Sequence, residues 1–289
     1  MHSTWVIIPV HNRREITLRC LKQLQDTGIL DWATVLVVDD GSTDETTKAV
    51  ESSFPDVHVK IGSGNLWWTG TTKLGMEYAM ANGAETIIWL NDDTHPKAGT
   101  LMRIAAYSQT HNCITSARCR YMLKDPPEPV QGIYKTTYSL QLDMKAIGVD
   151  GSMDVHALRG NCLSIPTDIV RAIGYPDAKN LPHYHGDSDY TLRATEYGFR
   201  CVMLMDAWAD EISDRGDRDA SWLRGGIPLG TLWKRFLFVG SSYYWKANLI
   251  YSFRHFGLLG GSIRFLKPLA VMLLVTILRV FLPRRRIRI

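Results

Sequence analysis

Up to Leu90 the chain alternates four short apolar runs with stretches of helical spacing, and this alternation leaves few folds open. The runs are Trp5–Val10, Thr34–Val38, Val57–Ile61 and Thr86–Leu90. Between them, Glu15–Thr27 places Ile16, Leu18, Leu21 and Leu24 at helical spacing, a second helix begins near Asp44, and a third is predicted over Thr71–Asn82. Short apolar, β-branched runs bounded by turn formers read as buried strands. Strands alternating with helices over short connections predict an α/β fold, a mostly parallel twisted sheet flanked by helices. In such sheets a ligand sits outside the carboxyl ends of the strands.

Each strand end carries polar or glycine-rich residues. The first ends in Pro9, Val10, His11, Asn12 and Arg13, and the second in Asp39, Asp40, Gly41 and Ser42. The third leads through Gly64 and Asn65 to Trp67 and Trp68, and the fourth ends in Asn91, Asp92 and Asp93. Two adjacent carboxylates at a strand end repel each other unless a cation or a substrate lies between them; the alternative is a solvated turn. Four such ends on one sheet edge favour a binding cleft.

Composition sets the class. The 289 residues allow one large domain or two small ones, and 45% hydrophobic with 21% charged residues is ordinary for a globular protein. The net charge of +4 concentrates at Arg284, Arg285, Arg286 and Arg288, leaving no broad basic face for nucleic acid. The five cysteines form no CxxC pair, which suits free thiols in a reducing cytoplasm, and the N-terminus shows no basic leader before a long apolar core.

The second half is less regular. Pro126–Pro129 marks a loop, Tyr134–Leu142 suggests antiparallel strands, and Ala157–Pro166 reads as loop then strand. Helices are expected at Thr167–Ile173 and Tyr190–Tyr197, and a strand at Cys201–Met205. Trp233–Phe256 is aromatic and basic, and Leu269–Leu278 is apolar apart from Thr276. With Lys267, Pro268 and Arg279 at its edges, this last run falls short of the ~20 apolar residues of a spanning helix. Such a helix suits the membrane interface, with arginines meeting anionic headgroups; the alternatives are a core or dimer helix, which leaves a homo-oligomer open, and a true span.

Five segments in order resemble the family 2 glycosyltransferases, inverting enzymes of the GT-A fold. They are Ile8–Asn12, the Val37–Asp44 stretch VDDGSTD with its leading Val, Gly64–Gly70, Asn91–Asp93, and Gly186–Asp189 running on to Leu192 and Arg193. Gly64–Gly70 is similar to the GNxWWTG variant of a subgroup associated with bacterial surface polysaccharides, and Asn91–Asp93 takes the place of the family's metal-binding DxD. The resemblance covers about residues 4–210.

The resemblance implies a UDP- or dTDP-sugar donor and a divalent cation, Mg²⁺ or Mn²⁺, at the leaving diphosphate. Asp93 is the first choice of ligand, with Asp92 assisting or touching the ribose. Asp39 or Asp40 would meet the base and ribose, Asp39 being preferred; a turn role is the alternative. Asp187 aligns with the base that deprotonates the acceptor hydroxyl, and Asp189 is the alternative base or a helix cap. Gly160 and Asn161 resemble the loop below the acceptor. Trp67 and Trp68 either stack on sugar or base or belong to the core. Lys73 stands where relatives often carry Asn, and either reaches a phosphate or faces solvent. No His follows the late strand as an extra metal ligand, and Asp210 is the substitute on offer. His183 and His185, spaced by two, form a weaker metal pair.

The expected domains are a GT-A unit over 1–225, with a nucleotide-sugar half (1–115) and an acceptor half (116–225), followed by a membrane-associating region over 226–289. The expected function is inverting transfer to a glycan or polyprenyl-linked acceptor in surface polysaccharide synthesis, on the cytoplasmic membrane face. Rhamnose, galactofuranose, glucose and N-acetylated sugars all remain open. A sugar-1-phosphate nucleotidyltransferase is a competing reading, but the first strand lacks a glycine-rich phosphate loop. A non-catalytic nucleotide-sugar binding protein is another.

Overall fold

The computed structural model describes residues 3–122, 128–129, 132–135, 140–143, 151–212 and 228–281. The first half runs β1 (Thr4–Val10), α1 (Arg14–Asp26), β2 (Thr34–Asp39), α2 (Thr46–Ser53), β3 (His58–Ile61), α3 (Trp67–Ala81), β4 (Thr86–Leu90), β5 (Thr94–Pro96) and α4 (Thr100–His111). The second half continues β6 (Ile114–Tyr121), β7 (Glu128–Pro129), β8 (Gly132–Lys135), β9 (Leu140–Asp143), β10 (Ser152–Val155), β11 (Cys162–Pro166), α5 (Thr167–Ile173), α6 (Gly186–Tyr197), β12 (Cys201–Glu211), α7 (Leu229–Leu237) and α8 (Trp245–Phe281).

The main sheet has the order β10-β12-β6-β11-β4-β1-β2-β3. β1, β2, β3 and β4 pair in parallel, as do β6 and β12, while β11 runs antiparallel between β4 and β6. Register sets Val10 beside Asp39 and Asp39 beside Ile61. The loops after β1, β2 and β3 therefore leave the sheet side by side, as the alternation predicts.

Strand alternation divides the core into two layers. Val6, Ile8, Val35, Val37, Ile88 and Leu90 face α1, α2 and α4; Trp5, Ile7, Leu36, Val38, Ile87 and Trp89 face α3, α5 and α6. Both sides of each central strand are thus buried, which is why these segments are continuously apolar. Each fully buried aliphatic side chain contributes about 1.5–3 kcal/mol. Gly75 lets α3 settle onto β1, since a Cβ there would lie 2.5 Å from Ile7 Cγ2.

Several boundaries differ from the sequence expectations. α3 begins at Trp67, four residues before the expected Thr71, because the Asp40 carboxylate of the neighbouring strand end accepts the Leu66 and Trp67 amides at 2.8 and 3.0 Å. This cap comes from a distant part of the chain, so local sequence does not display it. α6 begins at Gly186 rather than Tyr190, which brings Asp187 and Asp189 into its first turn. Glu128–Pro129, expected as loop, forms a short strand on β6, and the strand from Cys201 extends past Met205 to Glu211 beyond a bulge.

The C-terminal apolar run lies within α8, which is broken at Gly257 (φ 64°, ψ −168°) and contains Pro268. Its first half packs Ala247 and Tyr251 against Ala157, Leu181 and Leu192, while Met272 and Val275 in its second half pack against Leu232 of α7. No described helix is long and apolar enough to cross a membrane. Arg284, Arg285, Arg286 and Arg288, together with Pro126 and Pro127, lie outside the described residues.

Candidate active site

A cleft of about 330 Å³ opens at the carboxyl ends of β1, β2 and β4. Pro9, Val10, His11, Arg13, Asp40, Gly64, Trp67, Trp68, Asn91 and Asp92 line it, with Thr71 and His183 completing the wall. Eleven of the sequence candidates thus meet in one place, ten drawn from four separate strand ends and the eleventh, His183, from the second half of the chain.

The loops are fastened to one another. His11 Nδ1 lies 2.7 Å from the Asp40 carbonyl, the Asn12 amide donates to Ser42 Oγ, and Asn12 Oδ1 accepts the Thr43 amide. Asn12 has φ 52°, a left-handed conformation that Asn tolerates better than most residues. Gly41 presses against the backbone of Gly64, where a Cβ would sit 2.9 Å from the Gly64 Cα.

Asp39 and Asp40 divide their tasks differently from the sequence expectation. Asp39, the preferred nucleotide ligand, does not line the cleft; it accepts the Ser42 amide through Oδ1 and the Thr47 hydroxyl through Oδ2. Its strand register turns it into the following loop, where it fixes the turn. Asp40 reaches the cleft and also holds the next loop, accepting the Gly64 amide at 2.7 Å. Asn65 follows this anchored glycine and is not among the lining residues.

Arg13 spans the two strand-end acids, with Nε 3.0 Å from Asp92 Oδ2 and Nη2 2.8 Å from Asp93 Oδ2. Thr17 Oγ1 adds a 3.2 Å bond to Asp92. A guanidinium fork suits paired carboxylates and here offsets their mutual repulsion. Asp92 lines the cleft, whereas Asp93 is fully buried behind it. The acids offer hard oxygen ligands beside a nucleotide-sized cleft, the setting in which Mg²⁺ is held by one or two carboxylates plus substrate phosphates. The donor set therefore fits a divalent cation, with Arg13 as the competing counter-charge. Among the described residues no three His, Cys, Asp or Glu side chains gather into a metal cluster. Asp210 is turned to Lys97 and Arg120, whose hydrogen bonds hold its carboxyl below the usual range against the opposing effect of burial.

Lys73 faces outward, 3.6 Å from Glu77 on the same helix, and is absent from the cleft wall. Trp67 adopts φ 59° and packs edge-on against His183 and Phe238. Trp68 donates its indole N–H to Asn91 Oδ1 at 2.8 Å and meets Trp89 edge-on. Both tryptophans line the cleft, and Trp68 also packs against the core.

Residues 160 and 161 connect this cleft to Asp187. The Asn161 carbonyl accepts the Asn91 amide at 2.9 Å, and the Asn161 side chain donates to buried Glu211 at 2.6 Å. The adjacent Gly160 amide donates to Asp187 Oδ2 at 3.0 Å. A Cβ on Gly160 would lie 2.5 Å from Trp68 Cη2 and 3.1 Å from Asp187 Cβ. Only a residue without a side chain lets the tryptophan wall and the Asp187 carboxylate approach so closely. Gly186 permits a similar approach of α6 to α3, since its Cβ would overlap Thr69 Oγ1.

Asp189 faces away from the cleft. It is fully buried, and Arg193, Arg254 and His255 contact it at 3.1, 2.7 and 2.9 Å. Burial opposes ionisation, but the His255 and Arg254 hydrogen bonds outweigh it and hold the carboxyl below the usual range. The alternative of Asp189 as base thus meets a carboxylate already committed to three cationic or ring donors. It is not a side-chain cap of α6 either, whose N-cap His185 has φ 69° and no capping bond. His183 and His185 do not share a face. His183 lines the cleft, while His185 stacks on Tyr251 at 4.4 Å and is pushed down to about 4, chiefly by burial. Sequence reasoning missed Arg254, His255 and Asn248 of α8, because they reach α6 across more than fifty residues and no local pattern marks them.

Comparisons with known proteins agree with this fold. The fold resembles a crystal structure of GalNAc-T7 with UDP, GalNAc and Mn²⁺, at TM-score 0.62 and 12% identity over 73% of this chain and 44% of that one. It also resembles S. aureus TarS 1-349 in complex with UDP-GlcNAc, at TM-score 0.56 and 16% identity over 95% of this chain and 81% of that one. Against a crystal structure of S. aureus TarS, the TM-score is 0.56 and the identity 15%, over 99% of this chain and 50% of that one. The chain thus spans half or less of the length of GalNAc-T7 and of that longer TarS chain. Comparison with curated protein sequences finds no match. The model of the glycosyl transferase family 2 domain matches residues 5–158, more than half of the chain, and the protein belongs to glycosyl transferase family 2, with a GT-A fold.

Proposed function

We propose that the protein is an inverting glycosyltransferase that moves a sugar from a UDP- or dTDP-sugar to a glycan or polyprenyl-linked acceptor of the cell surface. The observation that carries this reading is the 160–161 bridge. It links a nucleotide-sized cleft, through Asn91, to a separate carboxylate, Asp187. Direct displacement requires this separation, with a leaving diphosphate on one side and a base for the acceptor hydroxyl on the other. A family 2 domain and UDP-bearing structural relatives favour transfer over nucleotidyl transfer or simple binding.

In this reading Pro9, Val10, His11, Asp40 and Gly64 receive the nucleotide, and Asp187 deprotonates the acceptor. Asp92 and Asp93 would hold Mg²⁺ or Mn²⁺. Bound there, the cation supplies charge stabilisation to the leaving diphosphate. Asp189, joined to Arg193 and Arg254, positions the first turn of α6. Residues 226–289 form the membrane-associating region, and the enzyme works peripherally on the cytoplasmic face; the exposed apolar side of α8 supports this.

The test is calorimetric titration with UDP and dTDP, coupled to a screen of UDP- and dTDP-sugars for donor hydrolysis. Binding of at least one nucleotide, with Mn²⁺-dependent sugar release, is expected. Failure to bind either nucleotide overturns the reading.

A further inference from the structure

A second cavity, of about 240 Å³, lies between α7 and α8 and away from the nucleotide cleft. Its walls are largely apolar: Leu232, Phe236, Phe265, Leu269 and Met272 line it. One charge enters it, the guanidinium of Arg264. Among the described residues Arg264 meets no carboxylate; its Cζ lies 5.3 Å from the Tyr251 ring and 5.0 Å from that of Phe256. Burial lowers its basicity, with only the Tyr251 phenol acting in the opposite sense. A half-buried guanidinium held only by aromatic faces is well placed to receive an anion.

The surroundings define what kind of anion. No Asp or Glu follows Asp219 anywhere in the sequence, so the whole C-terminal region is purely cationic. Along α8, Leu259, Ile263, Leu266, Leu273, Ile277 and Val280 are exposed at helical spacing, forming an unpartnered apolar stripe beside the cavity. Charge and apolar surface occur together, as on helices that lie in the headgroup layer of a bilayer.

The cavity also communicates with the candidate catalytic carboxylate. Asn248, which lines it, lies 3.2 Å from His185 Nε2, and His185 is two residues from Asp187. On the other side, Phe238 packs edge-on against Trp67 of the nucleotide cleft, while Ser242 and Tyr243 line the cavity. Arg264 packs on Tyr251, which stacks on His185, so the charged part of the cavity is the part connected to the first turn of α6.

We propose that the α7–α8 cavity is the acceptor-lipid site, taking a diphosphate on Arg264 and the first units of an isoprenoid chain against Leu232, Phe236, Leu269 and Met272. This rests on the reading of the protein as a transferase with a lipid-linked acceptor and gives that acceptor a place. No covalent step occurs in the cavity; the site holds the lipid so that the acceptor hydroxyl beyond the diphosphate reaches Asp187.

Farnesyl diphosphate is the soluble probe, titrated calorimetrically into the full chain without detergent, with farnesol and inorganic pyrophosphate as half-ligands. Saturable binding of farnesyl diphosphate is expected, weaker by roughly ten-fold or more in Arg264→Gln and in Leu269→Trp, which fills the cavity. Arg264→Lys should recover part of the affinity, and matching thermal transitions among the variants keep a folding defect from imitating the result. Unchanged affinity in both Arg264→Gln and Leu269→Trp overturns the proposal. So does pyrophosphate binding as tightly as farnesyl diphosphate, which would mark a plain anion site. Displacement of the probe by phosphatidylglycerol vesicles, but not phosphatidylcholine vesicles, would identify bulk headgroups as the occupant and also overturn it. UDP titration of the wild-type chain reports separately: absence of UDP and dTDP binding removes the transferase reading and leaves the lipid result standing.

Discussion

The Gly160 amide donates a 3.0 Å hydrogen bond to Asp187 Oδ2, and the Gly160 Cα faces the Trp68 ring so closely that no side chain fits between them. Gly160→Ala must push apart Trp68, which is anchored to Asn91, and Asp187, which sits on α6. Overpacking of this kind destabilises by about 1–3 kcal/mol. The expected outcome is a lowered melting temperature with a fall in turnover larger than the loss of UDP affinity. Unchanged turnover would show that the two walls need not touch.

Asp187→Asn preserves shape and removes the proton acceptor. Turnover should fall by about 10²–10⁴-fold, the usual contribution of a positioned base. UDP binding, measured by calorimetry, should stay within a few-fold of wild type, because the Asp187 carboxylate is held by the Gly160 and Ser188 amides and is not among the residues lining the nucleotide cleft. Retained turnover would move the base elsewhere.

Asp189→Asn takes from Arg193 and Arg254 the carboxylate they share, while Arg254 keeps its 2.6 Å bond to Asp177. Removing one partner of a buried pair costs about 3–5 kcal/mol. The pH dependence follows from the lowered folded-state pKa. The unfolded carboxyl protonates first, so the stabilisation is complete above its unfolded pKa of about 3.9 and is lost as pH falls through the folded value. The difference in melting temperature between wild type and variant should therefore be large near about pH 7 and shrink below about pH 4. A difference constant across this range would exclude ionised Asp189 as its source.

His185 runs on a different pH window. Its folded-state pKa of about 4 lies below the unfolded value of about 6.5, so the unfolded chain takes up the proton first. Wild-type stability should decline as pH falls from about 6.5 toward about 4. His185→Asn, in which Asn tolerates the left-handed backbone, should flatten that decline. Denaturant unfolding at a series of pH values measures it, and an equal decline in the variant would count against His185.

Arg13→Ala removes the cation that spans Asp92 and Asp93. With this cation gone from between them, the two buried acids should bind Mn²⁺ more tightly, by roughly ten-fold if one charge-assisted hydrogen bond no longer competes. Titration of the nucleotide-free protein, followed by the Mn²⁺ electron spin resonance signal, tests this. Weaker binding in the variant would make Arg13 an organiser of the ligands instead of their competitor.

The sequence by itself determined the layered α/β fold, because strands buried on both faces must be continuously apolar and their helices must carry one apolar side. It also located the cleft, since polar residues after successive parallel strands gather on one edge. It could not apportion roles within that edge. Asp39 and Asp40 are neighbours of one type, and only the register of β2 against β1 and β3 decides that Asp39 fixes its own turn while Asp40 lines the cleft and caps α3. Asp187 and Asp189 likewise look alike in sequence. Two helical residues turn them about 200° apart, to opposite sides of α6, and the docking of Arg254 and His255 from α8 neutralises Asp189 while leaving Asp187 against Gly160. Fold class is written in local periodicity, which a chain carries with it. The division of labour among like-charged side chains depends on partners brought from afar, and tertiary packing alone supplies those.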